Sequence, residues 1–267
     1  MEIGSPAAQS KYFFLSVQGI QRSQRCLPGL KTKVSTLIAL MISNSLDFSQ
    51  LHLWLANLSE LTVHQEWMLE RLDSRERLAL KQARLPEATL LSAACRAFVR
   101  EVLARNVAPA RERVIHFTQN GKPYTSGLFL SWSRSEEQAL LGLTRTCPIG
   151  VDLEHFSHFQ DWSAFLRFFS QDERQKLHTL PPESMPQASA LLWVRKEAVL
   201  KASGLGLAGF EAVSASPKPQ EPRLTLAEYS PGDWLCPVFL HKESVFGVAY
   251  PQNVGVLTIV RHTLSLA

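Results

Sequence analysis

Apolar and polar positions fall into a regular pattern only from Gln50 onward. There Leu51, Leu53 and Leu55 alternate with His52, Trp54 and Ala56, a period of two that predicts a strand. The chain through Leu72 and DSRERLALKQAR then reads as helical. In ATLLSAACRAFVREVLARNV, Leu90, Leu91, Ala94, Phe98, Val102 and Leu103 mark an amphipathic helix that buries one side. Arg96, Arg100 and Arg105 fall on its other side and read as a solvated face.

From Ile115 to Leu143 the pattern shortens to VIHFTQNGKPY, LFLSWS and QALLGL, strands set around an Asn120-Gly121 turn with Lys122 just after it. In CPIGVDLEHF, Ile149, Val151 and Leu153 alternate with Gly150, Asp152 and Glu154. A strand there turns both carboxylates to one side, about 6.6 Å apart along the chain. WSAFLRFFSQDERQKLHTL predicts two helical pieces, the second capped by Ser170.

Pro181, Pro182 and Pro186 interrupt the chain before WVRKEAVLKASGLG. At 3.6 residues per turn this segment stacks Trp193, Glu197 and Lys201 in one row, and Gly204 and Gly206 stop it. Beyond a proline-rich loop, WLCPVFLH, SVFGVAY and VGVLTIV are strand candidates at hairpin spacing. Residues 1–49 lack periodicity and predict a poorly ordered extension.

Bulk properties narrow the class. A 267-residue chain with 45% hydrophobic and 19% charged residues is ordinary for a globular protein. Its net charge of +4 favours an acidic or phosphorylated partner. No cluster of basic residues interleaved with aromatics points to nucleic acid. The longest early apolar run, Val34 to Ile42, is about half a membrane span and lacks a cleavage pattern after it, so neither membrane insertion nor export is expected. Cys26, Cys95, Cys147 and Cys236 are scattered without disulfide or metal spacing, which predicts a reducing compartment, the cytoplasm.

The chemistry-bearing residues are acids and lysines. Taken alone, Glu197 and Lys201 could be an exposed i,i+4 pair of about 0.3 kcal/mol. With Asp152 and Glu154, however, Glu197 forms an oxygen-only set that suits Mg²⁺ better than zinc, and such a metal predicts a phosphate-bearing ligand whose charge Lys196 and Lys201 would neutralise. His155 and His158 have no companion ligands at zinc spacing, no G-x-S-x-G turn offers a nucleophile, and no phosphate-binding P-loop is present.

Taken jointly, GVDLE, FFSQDE and WVRKEAVLKASGLGL resemble the signature segments of the Sfp-type 4′-phosphopantetheinyl transferases, with weaker similarity across residues 50 to 260. The resemblance implies an α/β (α+β) fold of two similar lobes, residues 50–147 and 148–267, with coenzyme A between them. It implies transfer of phosphopantetheine from coenzyme A to a serine of an acidic apo carrier protein. Asp152, Glu154 and Glu197 would hold Mg²⁺, Glu197 would help deprotonate the serine, and Lys201 would stabilise the departing 3′,5′-ADP. Lys196, Lys201, Lys122 and Ser131 would contact coenzyme A, Arg75 and Arg77 would lie near its 3′-phosphate, and Glu173 matches an acid often found near the metal.

The sequence departs from the family pattern at LFLSWS, where Phe129 stands for the usual asparagine and Trp132 for the usual histidine. Trp132 has one N–H donor and no charge, so a phosphate contact worth about 1.5–3 kcal/mol is lost there. A non-catalytic homologue that binds coenzyme A or a carrier protein is the alternative reading.

Overall fold

The computed structural model describes residues 46–82, 86–108, 110–215, 223–226, 233–255 and 257–264. The expected extension therefore lies outside the described residues up to position 45. Its last residues are described, and Phe48 is part of the core, so order begins before Gln50.

The first sheet has the order β12-β1-β5-β4, formed by Ile259–Thr263 (β12), Leu51–Asn57 (β1), Gln138–Thr144 (β5) and Phe129–Ser135 (β4). Strand β1 is buried on both faces because its period of two serves two cores. Trp54 and Ala56 face a helical layer, whereas Leu51 and Leu53 face the second sheet. The helical layer comprises α1 (Leu58–Thr62), α2 (Gln65–Arg71), α3 (Ser74–Lys81) and α4 (Pro86–Asn106). Ala94, Phe98, Val102 and Leu103 of α4 are buried against the sheet, the side that the apolar pattern selects. Asp73 and Glu76 form a capping box that starts α3.

In the second sheet, Gly150–His155 (β6) pairs antiparallel with Ser244–Pro251 (β11), which also pairs with Val238–His241 (β10) and Trp234–Leu235 (β9). The single run WLCPVFLH thus becomes two short strands, broken at Cys236 and Pro237. Strands β7 (Val213–Ser214) and β8 (Arg223–Leu226) extend the sheet beyond β9. A separate hairpin, β2 (His116–Phe117) and β3 (Pro123–Tyr124), carries the Asn120-Gly121 turn. The mixture of helices and sheets is the α/β class expected.

Two helices pack on the second sheet's side: α5 (Gln171–His178), started by a Ser170–Glu173 capping box, and α6 (Met185–Ser203). The WSAFLRF segment forms a 3-10 turn rather than an α-helix. The two sheets separate in sequence near Cys147, but the last strand does not stay with its neighbours. Strand β12 returns to the first sheet and pairs in parallel with β1, Leu53 opposite Arg261. All described residues accordingly fall in one unit, Ser45–Ala267. No helix among them is long and apolar enough to cross a membrane.

Candidate functional site

Strands β4 and β6 are joined by side chains instead of a backbone ladder. The alternating serines of LSWSRS all turn toward β6. Ser131 Oγ accepts from the Val151 amide at 3.0 Å, and Ser133 Oγ donates to Asp152 Oδ1 at 2.8 Å. Ser135 Oγ accepts from the His155 amide at 3.0 Å and donates to Glu154 Oε2 at 3.1 Å. This seam fixes both carboxylates of β6.

Helix α6 closes over the other side of β6. A Cβ on Gly150 would stand 1.9 Å from the Ala198 carbonyl oxygen, so only glycine lets the helix backbone touch the strand. Gly204, in the left-handed conformation at φ 77°, ends the helix and donates its amide to the Leu200 carbonyl at 2.9 Å. The β2–β3 hairpin docks on that end. Asn120 Nδ2 donates to the Gly204 carbonyl at 3.1 Å, and Lys122 Nζ donates to the Ala202 carbonyl. A cation there meets the negative end of the helix dipole.

Between these elements lies a cleft of about 350 Å³, lined among others by Arg96, Lys122, Ser131, Trp132, Glu197 and Lys201. Lys201 Nζ donates to Asp152 Oδ1 at 2.5 Å and to Ser133 Oγ at 3.0 Å. Burial, then the nearby Asp152 carboxylate, pushes the Glu197 carboxyl up to about 7, with Lys201 opposing and Glu154 adding to the rise. Burial, then Asp152, also raises Glu154, which lies 2.9 Å from His158 Nδ1. Burial lowers the Lys122 ammonium to about 8. The cleft thus sets a cationic wall beside Glu197, with Asp152 and Glu154 of β6 just behind its lining.

That donor set fits a hard divalent cation. Asp152 Oδ2 is buried and has no hydrogen-bond partner among the described residues, and burial together with the Asp152 carboxylate holds the Glu197 and Glu154 carboxyls above the usual range, a rise that a bound cation would offset. Three such side chains do not converge on one point among the described residues. Mg²⁺, however, commonly takes only one or two protein carboxylates and completes its shell with water and phosphate.

Several expected contacts lie elsewhere. Lys196 is fully buried and donates to Glu173 Oε2 at 2.9 Å and Oε1 at 3.2 Å, so its ammonium faces α5 and not the cleft. Glu173 is equally buried, and its oxygens accept from Lys196 and from the amides of Ser170 and Ala215. Arg75 and Arg77 sit exposed on α3 and do not line the cleft; Arg77 donates to the Leu69 carbonyl at 3.1 Å. Trp193, one turn before Glu197 on the same row of α6, packs against Phe165, Phe168 and Phe210. Conversely, Arg96, read as solvated, lines the cleft, held only at 3.4 Å from Glu76. Asn120 also lines it.

A sequence model described as the 4′-phosphopantetheinyl transferase superfamily (ACPS) matches residues 148–248, the stretch that contains β6, α5 and α6. The 4′-phosphopantetheinyl transferase HetI of Nostoc sp. (strain PCC 7120) is 30% identical over 182 residues, covering 65% of this chain and 76% of HetI. The chain belongs to the 4′-phosphopantetheinyl transferase superfamily. A second member, 4′-phosphopantetheinyl transferase psf-1 of Bacillus pumilus, is 32% identical over 136 residues, which covers 48% of this chain and 58% of psf-1. Within this transferase superfamily the matched stretch holds Asp152, Glu154, Glu197 and Lys201, whereas Arg96, Lys122 and Ser131 lie upstream of it.

Proposed function

We propose that this chain transfers the 4′-phosphopantetheine group of coenzyme A to a serine hydroxyl of an apo carrier protein, releasing 3′,5′-ADP. The observation that carries the reading is the adjacency of Lys201, Asp152 and Glu197 at the end of a cleft walled by Arg96 and Lys122. Two relatives that bear the name 4′-phosphopantetheinyl transferase support it.

In this reading the cations of the cleft hold the phosphates of coenzyme A. Glu197, poised at about 7, accepts the proton of the carrier serine. The serine oxygen forms a bond to the β-phosphorus as the bond from that phosphorus to the α-phosphate bridging oxygen breaks. Lys201 stabilises the charge that collects on the departing oxygen and can give it a proton. Asp152 and Glu197, with Glu154 beside them, would hold Mg²⁺, which when bound supplies charge neutralisation at the phosphates. Ser133 holds Asp152 in place from the opposite strand.

The partner is an acidic carrier protein, in keeping with the net charge of +4. Cys95, Cys147 and Cys236 are buried free thiols, which agrees with a cytoplasmic setting. Incubation with coenzyme A, Mg²⁺ and a panel of apo carriers tests the reading: one carrier should gain about 340 Da by mass spectrometry. Phosphate release without any protein acceptor would replace transfer by hydrolysis.

A further inference from the structure

The Glu173–Lys196 pair is charged and entirely buried, and the chemistry above makes no use of it. Glu173 gathers a dense set of donors. Its Oε2 accepts from the Ser170 amide at 2.7 Å and from Lys196 at 2.9 Å, and its Oε1 accepts from the Ala215 amide at 2.8 Å. Lys196 Nζ also stands 5.1 Å from the centre of the Phe210 ring. One carboxylate therefore ties the start of α5, the middle of α6 and the chain after β7 together.

Buried ion pairs seldom add stability over well-packed apolar residues, because removing two charges from water cancels most of their attraction. Their best-attested use is to specify one arrangement among several that pack equally well. Helix α6 meets the second sheet at two glycines: a Cβ on Gly150 would stand 1.9 Å from the Ala198 carbonyl oxygen, and one on Gly247 would stand 2.8 Å from Val194 Cγ1. These contacts seat one side of the helix, and the Glu173–Lys196 pair adds a charged tie to α5 from about the opposite side, since Lys196 lies roughly 200° around the helix from both Val194 and Ala198. Glu197 follows Lys196 directly, about 100° farther around the helix, and Lys201 lies one turn beyond Glu197. A small roll of α6 would carry both away from Asp152.

We infer that Glu173 and Lys196 are positioning residues: the pair locks the rotation of α6 and so aims Glu197 and Lys201 at Asp152. The inference rests on the transferase reading of the cleft. If the wild-type protein modifies no carrier, that reading fails first, and the inference is judged on the variants only once transfer is established.

The decisive variant is the double replacement Glu173→Gln with Lys196→Met, which removes both charges, keeps volume, and retains one acceptor oxygen for one of the two amides, Ser170 or Ala215, that the carboxylate serves. Its melting temperature should stay within a few degrees of wild type and its KM for coenzyme A within about twofold. Its kcat should fall about tenfold to a hundredfold, since misplacement by an ångström can cost a factor of about a hundred. A folded double variant with wild-type kcat would overturn the inference.

Should the double variant not fold, Ser170→Ala loosens the capping box around Glu173 at modest cost. It should lower kcat severalfold at unchanged KM. Asn57→Ala, which removes a comparable cap from α1, should leave kcat alone. Equal kcat in Ser170→Ala and Asn57→Ala would likewise defeat the inference.

Discussion

Lys201 Nζ stands 2.5 Å from Asp152 Oδ1, an ion pair between the last turn of α6 and the middle of β6, with Ser133 of β4 bonded to both partners. Three elements drawn from both sheets therefore meet at one charged contact. Lys201 is about one-third exposed, whereas Asp152 is almost wholly buried. The lysine is the partner that a ligand phosphate can reach.

Replacing Lys201 by methionine strips the buried Asp152 carboxylate of its cation. The fold should lose stability, because an uncompensated buried charge is costly. Transfer should fall by about a hundredfold to a thousandfold, the usual loss when one electrostatic stabiliser of a developing charge is removed. Calorimetry and the carrier mass assay measure the two effects separately.

Glu197→Gln should move stability and activity in opposite directions. Its carboxyl is raised from 4.5 to about 7 in the folded protein, so ionisation opposes folding. That penalty is absent below pH 4.5, grows as pH rises toward 7, and is complete above it. The glutamine variant should therefore melt several degrees higher than wild type at pH 8 without divalent cation, and the gain should vanish near pH 4. Transfer should be lost at every pH. A variant less stable than wild type at pH 8 would contradict the burial-and-repulsion account.

Lys122 sets a limit on the alkaline side. Burial brings its ammonium down to about 8, and only the protonated form attracts a phosphate. Affinity for 3′,5′-ADP should be level below that pH and fall by up to about tenfold per unit above it. Titration calorimetry at pH 7 and 9.5 tests this, and Lys122→Met should bind more weakly at pH 7 and show a flatter profile.

Arg96 is exposed and also lines the cleft. Arg96→Ala should raise KM for coenzyme A by about tenfold, the low end for a charged hydrogen bond because the side chain is well exposed, and leave kcat near wild type. Steady-state kinetics at saturating carrier separates the two constants.

Much of this site could be read from the residue order because period-two and period-3.6 patterns are local. Gly150, Asp152 and Glu154 were placed on a strand, Glu197 and Lys201 on a helix, and the Asn120-Gly121 turn on a hairpin, and each element formed as its spacing dictates. What the pattern leaves out has one cause. A helix pattern separates apolar from polar faces but does not say which polar position meets a distant element. Arg96 on α4 is exposed as the pattern predicts, but that pattern does not reveal the cleft it borders, and Lys196 on α6 turns inward to an ion pair instead of to a ligand. The burial of Lys196 depends on Glu173, 23 positions earlier, and no local rule pairs them. The serines at 133 and 135 carried a legible signal, since polar side chains repeating every second residue along LSWSRS mark one face that stays hydrogen-bonded.

The parallel contact between β1 and β12 bears on how the molecule is made. His52 meets His262 across 210 positions at 2.9 Å, so β1 waits for a neighbour synthesised long after it. Until then one border of the first sheet presents open amides and carbonyls. Late closure of so long a loop makes assembly slow, and a ribosome-bound chain halted before Ile259 would carry that unsealed border.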